Sequence, residues 1–170
     1  MSLLRTSGAI SALWQNLLVI LGVVVGGFVA TLLTTPDNFA TAVWPPAGVT
    51  LAAVLLCGYR VVPGIFLGAT IIELWLKPQH ISLLEPSLIA LLVCAIAIGA
   101  SLQASLGAYL VRRRLGPSPA LIAAGRILRF FLLAGPVSCL VHASIGVPSL
   151  TRVGGLDSPA VFPTWPSRWI

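Results

Sequence analysis

The run from Ile10 to Leu33 contains 24 residues and no charged side chain. As an α-helix with a rise of ~1.5 Å per residue it would be ~36 Å long, enough to cross a hydrocarbon core of ~30 Å. Only 8% of the chain is charged and 58% is hydrophobic, whereas soluble domains carry about 25% charged residues. The sequence therefore predicts an all-α, polytopic transmembrane helix bundle. The lipid bilayer is the first of its expected partners.

About five membrane segments are expected from the apolar runs, and two of them are short and begin with or lie beside proline. Pro46 to Leu76 is too long for one simple span and is interrupted by GYRVVPG, in which Arg60, Pro63 and Gly64 disfavour a straight helix. Proline at the first helical positions costs little, because those N–H groups have no intrahelical partner. The predicted segments are 10–33, 46–58, 62–76, 88–111 and 127–147.

The distribution of basic residues predicts how these segments are oriented. If the region 46–76 is a hairpin with Arg60 at its tip, seven basic residues share one face of the membrane and three lie opposite. The seven are Arg5, Arg60, Arg112, Arg113, Arg114, Arg126 and Arg129. The positive-inside rule then places the N-terminus in the cytoplasm. A re-entrant loop that never crosses gives the same parity, so both forms of the hairpin stay open.

Three stretches of this sequence resemble a known family. VWPPAGVTLAAVLLCGYRVVPGIFLGATIIEL, from Val43 to Leu74, is similar to the N-terminal signature of the first type of bacterial membrane-associated sensor domain, in the MASE family. Ile96 to Leu115 and Ile127 to Val147 also fit that pattern. The resemblance implies a multi-pass sensory module of the bacterial inner membrane, of about eight helices, that precedes a histidine kinase or a cyclic-di-GMP enzyme.

Measured against that family, the chain is expected to be truncated before the last helices and the output domain. Residues 1–158 would be a partial sensor domain, and residues 159–170, which include FPTWPSRWI, would be an irregular tail rich in tryptophan and proline. Such a bundle would regulate a cytoplasmic partner without being an enzyme itself.

Six residues are candidates for sensing or for helix packing. Trp44, Pro45, Pro46 and Gly48 either shape a pocket or only start a helix at the interface. Glu73 is an acid inside an apolar run, which is a functional hypothesis by default, but it also has Lys77 four residues later as an exposed partner. Gln103 either makes an interhelical hydrogen bond or lines a sensing cavity.

The remaining marked residues are topology signals. Arg60, Pro63 and Gly64 belong to the predicted hairpin turn, and Arg112, Arg113 and Arg114 end a span. His142 could titrate or hydrogen-bond a neighbouring helix.

The sequence contains no nucleophile–base pair, phosphate loop or cluster of metal ligands, so no catalytic residue, metal or cofactor is predicted. Because the basic residues punctuate apolar runs, nucleic acid is not an expected partner. A second membrane protein, a second copy of the chain and an unidentified small ligand are the remaining candidate partners. Two other functions stay open, a small permease or transporter fragment and a plain membrane anchor or assembly subunit.

Overall fold

The computed structural model describes residues 2–32, 44–75, 86–116 and 124–152, and the following account concerns these residues. They form six α-helices and one short 3-10 turn, and none lies in a β-strand. The helices are α1 (Ser2–Leu32), α2 (Pro45–Cys57), α3 (Val62–Trp75), α4 (Pro86–Leu115), α5 (Ala124–Ala134) and α6 (Pro136–Arg152), with the 3-10 turn at Tyr59–Val61 between α2 and α3. The predicted all-α class is confirmed.

Three stretches are long and apolar enough to cross a membrane, namely Ser11–Leu32, Pro86–Leu115 and Ala124–Gly146, and α2 is a shorter apolar helix. Large side chains such as Leu18, Leu21 and Leu91 are exposed on the outer surface of the bundle. A water-soluble protein would bury such side chains, whereas a bilayer accepts them. The stretches 33–43 and 76–85 and the predicted tail 159–170 lie outside the described residues.

The break between α2 and α3 occurs at Gly58, as the interruption in the sequence predicts. Its backbone has φ +79° and ψ −172°, a conformation that is essentially restricted to glycine. Pro63 follows as the second residue of α3, where its missing N–H removes no intrahelical hydrogen bond.

The two short helices run in opposite directions along α1. A Cβ added at Gly26 would lie 3.4 Å from the backbone N of Pro46, and one at Gly22 would lie 3.0 Å from Val49 Cγ1, so α2 is antiparallel to α1. Glycine at these two positions lets the backbones of α1 and α2 approach closely.

The second short helix, α3, is parallel to α1. Gly64 packs against Asn16, Gly68 against Val23, and Ile72 against Gly27. The region 46–76 therefore doubles back on itself, with its turn beside the N-terminal half of the α1 span.

Helix α4 lies on the other side of this hairpin. Its residue Gly107 packs against Leu51, and its Arg112 reaches the C-terminal end of α2. The turn, Arg112–Arg114 and the start of α5 with Arg126 and Arg129 consequently lie at one end of the bundle, which we call the arginine end. Helix α1 begins at this end, so Arg5 belongs to it, whereas α6 runs away from it and carries Arg152 to the opposite end.

The run predicted as one segment at 127–147 is divided between α5 and α6. The bend is at Gly135, because Pro136 lacks the N–H that would continue the hydrogen-bond pattern. The buried Ser138 hydroxyl donates to the carbonyl oxygens of Ala134 and Gly135, which satisfies backbone acceptors at the bend.

Candidate functional site

A small cavity lies between α1, α2, α3, α4 and α6, in the half of the bundle farther from the arginine end. Its volume is about 20 Å³, enough for a single water molecule. Its walls are formed by Val23, Trp44, Pro46, Ala47, Thr50, Ala69, Ile72, Glu73, Ile96, Ala100, Gln103 and His142. Four of the six sensing candidates named from sequence therefore surround one space.

Trp44 and Pro46 reach the cavity because they begin α2. The backbone N–H of Ala47 donates to the Trp44 carbonyl oxygen at 3.0 Å, which closes the first turn. Pro46 is buried against Gly26 of α1. Pro45 and Gly48 are not among the lining residues, and Gly48 is exposed with no atom within 4 Å of an added Cβ.

Gln103 is buried in the middle of α4, and its Nε2 donates to Cys139 Sγ of α6 at 3.1 Å. A thiol is a weak acceptor. Within the described ranges Gln103 makes no other hydrogen bond. Gln103 thus makes an interhelical hydrogen bond and also lines the cavity. A role for this cavity in sensing stays a prediction.

Glu73 is partly buried on α3 and lines the same cavity. It is the only carboxylate among the residues that the structure describes, and within that part of the chain it has no hydrogen bond or ion pair. Lys77 lies outside the described residues, so the alternative of an exposed Glu73–Lys77 pair stays a prediction. A carboxylate and an amide with unused hydrogen-bonding capacity beside a cavity can hold a water molecule or a polar group of a ligand.

His142 brings a further polar side chain to this space. It lies on α6 against Gly99 of α4, where an added Cβ would be 2.9 Å from the imidazole Cδ2. Glycine at this position therefore lets the ring approach the helix backbone.

The two broken ends of the hairpin are capped by side chains from neighbouring helices. The Nη2 of Arg112 donates to the carbonyl oxygens of Val54 and Leu55 at 2.8 and 3.0 Å, at the C-terminal end of α2. The Arg112 guanidinium also lies 5.5 Å from the centre of the Tyr59 ring. The Val54 carbonyl oxygen already accepts from the Gly58 N–H at 2.9 Å, so Arg112 adds a second donor there. It also gives a donor to Leu55, one of the last carbonyl oxygens of the helix, which lack ordinary intrahelical partners.

The start of α3 is capped by Asn16 of α1. Its Oδ1 accepts a hydrogen bond from the Gly64 N–H at 2.7 Å, and its Nδ2 donates to the carbonyl oxygens of Arg60 and Ala12 at 3.1 and 2.8 Å. Sequence reasoning missed Asn16. The available signal was a pair of adjacent amides, Gln15 and Asn16, in a span without charged residues, since polar side chains there often join helices.

The predicted turn residues lie near one another at the arginine end. Arg60 belongs to the 3-10 turn and is exposed, whereas Gly64 is buried in the first turn of α3 against Asn16. Arg113 donates from Nη1 to the hydroxyl of Tyr109 on its own helix at 2.8 Å. Arg114 is exposed and lines a second cavity with Arg129.

The described side chains include no group of three histidine, cysteine or acidic residues able to hold a metal ion. The first cavity offers the hydrogen-bonding side chains of Glu73 and Gln103 and an aromatic wall at Trp44.

Comparison with known proteins gave one family. The MASE1 family profile matches residues 14–170, which is nearly the whole chain and includes the stretch after residue 158. No curated protein and no solved structure matched the chain.

Proposed function

The chain belongs to the MASE1 family of membrane sensory domains, and from this premise we propose that it is the sensory part of a signalling protein in the bacterial inner membrane. Its partner in signalling would be a cytoplasmic histidine kinase or cyclic-di-GMP enzyme. The observation that carries the proposal is the match over residues 14–170.

The sensing element in this proposal is the cavity between the hairpin and α4. Support comes from the convergence of Trp44, Pro46, Glu73 and Gln103 on one space, and from the unused hydrogen-bonding capacity of Glu73 and Gln103 among the described residues. A small polar ligand, or a change in hydration of the cavity, would alter contacts that α2, α3 and α4 all share.

The hairpin would transmit this change along the bundle. Helices α2 and α3 extend from the cavity to the arginine end, where Asn16 and Arg112 hold their broken ends. A shift of either short helix at the cavity would therefore move the turn at Tyr59–Val61 relative to α1 and α4. With the N-terminus cytoplasmic, as the arginine distribution favours, the cavity lies in the outer half of the membrane and the turn faces the cytoplasm.

A chimaera tests this function. Residues 14–170 would replace the corresponding part of a MASE1-containing diguanylate cyclase, and cyclic-di-GMP would be measured in cells. Gln103→Leu and Glu73→Gln should shift the output, because each changes a polar wall of the cavity. Ser101→Ala is the matched control, since Ser101 is buried on the same helix but donates to its own helix at Ala97.

Unchanged output in both cavity variants, with protein levels equal to the parent chimaera, would contradict a sensing role for the cavity. A chimaera that is correctly inserted but insensitive to every substitution would instead favour the plain-anchor alternative.

A further inference from the structure

A second cavity, of about 210 Å³, lies at the arginine end between α4 and α5. It is lined by Arg114 of α4 and by Arg129, Leu132 and Leu133 of α5. We propose that this cavity is a binding site for the headgroup of an anionic phospholipid, and we call it the headgroup site. The proposal is independent of the sensing function.

The charge of the headgroup site is not neutralised by the described part of the protein. Arg114 and Arg129 make no ion pair or hydrogen bond within the described ranges, and the only described carboxylate, Glu73, belongs to the other cavity. The neighbouring arginines differ, because Arg112 holds the end of α2 and Arg113 donates to Tyr109. A negatively charged phosphate would therefore find two available guanidinium groups, which bind phosphate well through paired N–H donors.

The apolar part of the same cavity selects a lipid over a free anion. Leu132 and Leu133 line the site directly beside Arg129, one turn farther along α5. On the outer surface of α5, Ile127, Leu128 and Phe131 are exposed. A headgroup phosphate held by the arginines would thus continue into acyl chains lying along an apolar helix face.

The size of the headgroup site agrees with this occupant. At about 210 Å³ it is smaller than pockets for whole drug-sized ligands, which span roughly 300–1,000 Å³. A phosphate with part of its glycerol fits this scale, while the chains stay in the bilayer. Basic pockets between helices on the cytoplasmic side are a known way to bind anionic headgroups.

The experiment measures lipid preference of the full chain in phosphatidylcholine nanodiscs. Spin-labelled phosphatidylglycerol and spin-labelled phosphatidylcholine are compared by electron paramagnetic resonance, which gives the ratio of their association constants at the protein surface. The intact protein should prefer phosphatidylglycerol. Arg114→Gln and Arg129→Gln should each lower the ratio by about fivefold, the effect of one basic charge near an anionic surface.

Arg113→Gln is the matched control, because it removes the same charge from the same helix outside the headgroup site. It should leave the ratio nearly unchanged. An equal loss in Arg113→Gln and Arg129→Gln would overturn the proposal, since it would show general attraction to a charged surface. Displacement of the labelled lipid by inorganic phosphate at low millimolar concentration, with no preference left, would also overturn it in favour of a free anion.

The Arg129→Lys variant is the control for loss of folding. It keeps the positive charge but not the planar pair of donors, so it should retain part of the preference. A ratio as low as that of Arg129→Gln in a protein with unchanged melting would mean that guanidinium geometry dominates and would support the site. If Arg129→Lys and Arg129→Gln both gave the same ratio of association constants as the intact protein, the headgroup site would be refuted.

Discussion

Asn16 and Gly64 are 48 positions apart, and the side-chain oxygen of the first accepts a hydrogen bond from the backbone N–H of the second at 2.7 Å. This contact joins the first long helix to the start of the second short one. The N–H groups in the first turn of a helix have no intrahelical partner, and inside a bilayer water does not satisfy them. A hairpin of short helices can therefore exist here because a neighbouring helix completes its backbone hydrogen bonding.

Replacing Asn16 with leucine should destabilise the bundle by about 1–3 kcal/mol, the cost of leaving a buried backbone group without its partner. Both the Gly64 N–H and the Arg60 carbonyl lose a hydrogen bond in this variant. The measurement is the melting temperature in detergent, followed by tryptophan fluorescence. Gln15→Leu is the control, because Gln15 makes no hydrogen bond within the described residues. Equal melting of the two variants would contradict the capping role.

The arginines at the end of α4 should differ in their effect on stability. Arg112→Gln removes the charged donor from the Val54 and Leu55 carbonyls and the contact with Tyr59. Hydrogen bonds to a charged group contribute about 1.5–3 kcal/mol, so the midpoint of unfolding in denaturant should fall clearly. Arg113→Gln should have a much smaller effect, because within the described residues this side chain hydrogen-bonds Tyr109 of its own helix and no other helix. A similar loss of stability in Arg112→Gln and Arg113→Gln would mean that the positive charge stabilises the bundle and the hydrogen bonds to α2 do not.

Two glycines of the hairpin should respond oppositely to alanine. A Cβ at Gly64 would lie 2.7 Å from Asn16 Oδ1 and 2.9 Å from the Asn16 carbonyl oxygen, so Gly64→Ala should cost about 1–3 kcal/mol through overpacking. Gly48 has open space around it, and Gly48→Ala should be neutral or stabilising by up to about 1 kcal/mol because alanine favours helix. Comparing the two melting curves tests the close approach of α3 to α1, and a neutral Gly64→Ala would refute it.

The two ends of the hairpin should be reached from opposite sides of the membrane. In a variant without Cys57, Cys94 and Cys139, Arg60→Cys should react with a membrane-impermeant maleimide only in inside-out vesicles. Trp75→Cys, at the exposed far end of α3, should react only in right-side-out vesicles. This follows from the arginine distribution, since basic residues are retained in the cytoplasm. The reverse labelling pattern would invert the proposed orientation.

Several features of this protein could be predicted from local sequence. The length of the apolar runs predicts the long helices, and Gly58 with Pro63 predicts the break between α2 and α3. The arginines also predict helix ends, because each lies close in sequence to the end of an apolar run. The structure brings Arg60, Arg112 and Arg129 to one end of the bundle.

The candidate site could be predicted only in part. Glu73 and Gln103 stand out as polar residues in apolar helices, and both line the cavity. Gly48 belongs to the same short motif as Trp44, but it lies on the exposed side of α2. A motif gives the order of residues along the chain, whereas the face that each residue presents depends on which helix packs beside it.

The sequence by itself determined that this protein is a helical membrane bundle with a broken hairpin and a basic end, because hydropathy, proline and charge exert their effects within a few residues. Only the tertiary structure decided that Asn16 and Arg112 cap the two broken ends and that five helices surround one small cavity lined in part by Glu73 and Gln103. Those contacts join residues far apart in the chain, and they form only when the small residues of α1, α3 and α4 let the helix backbones approach closely.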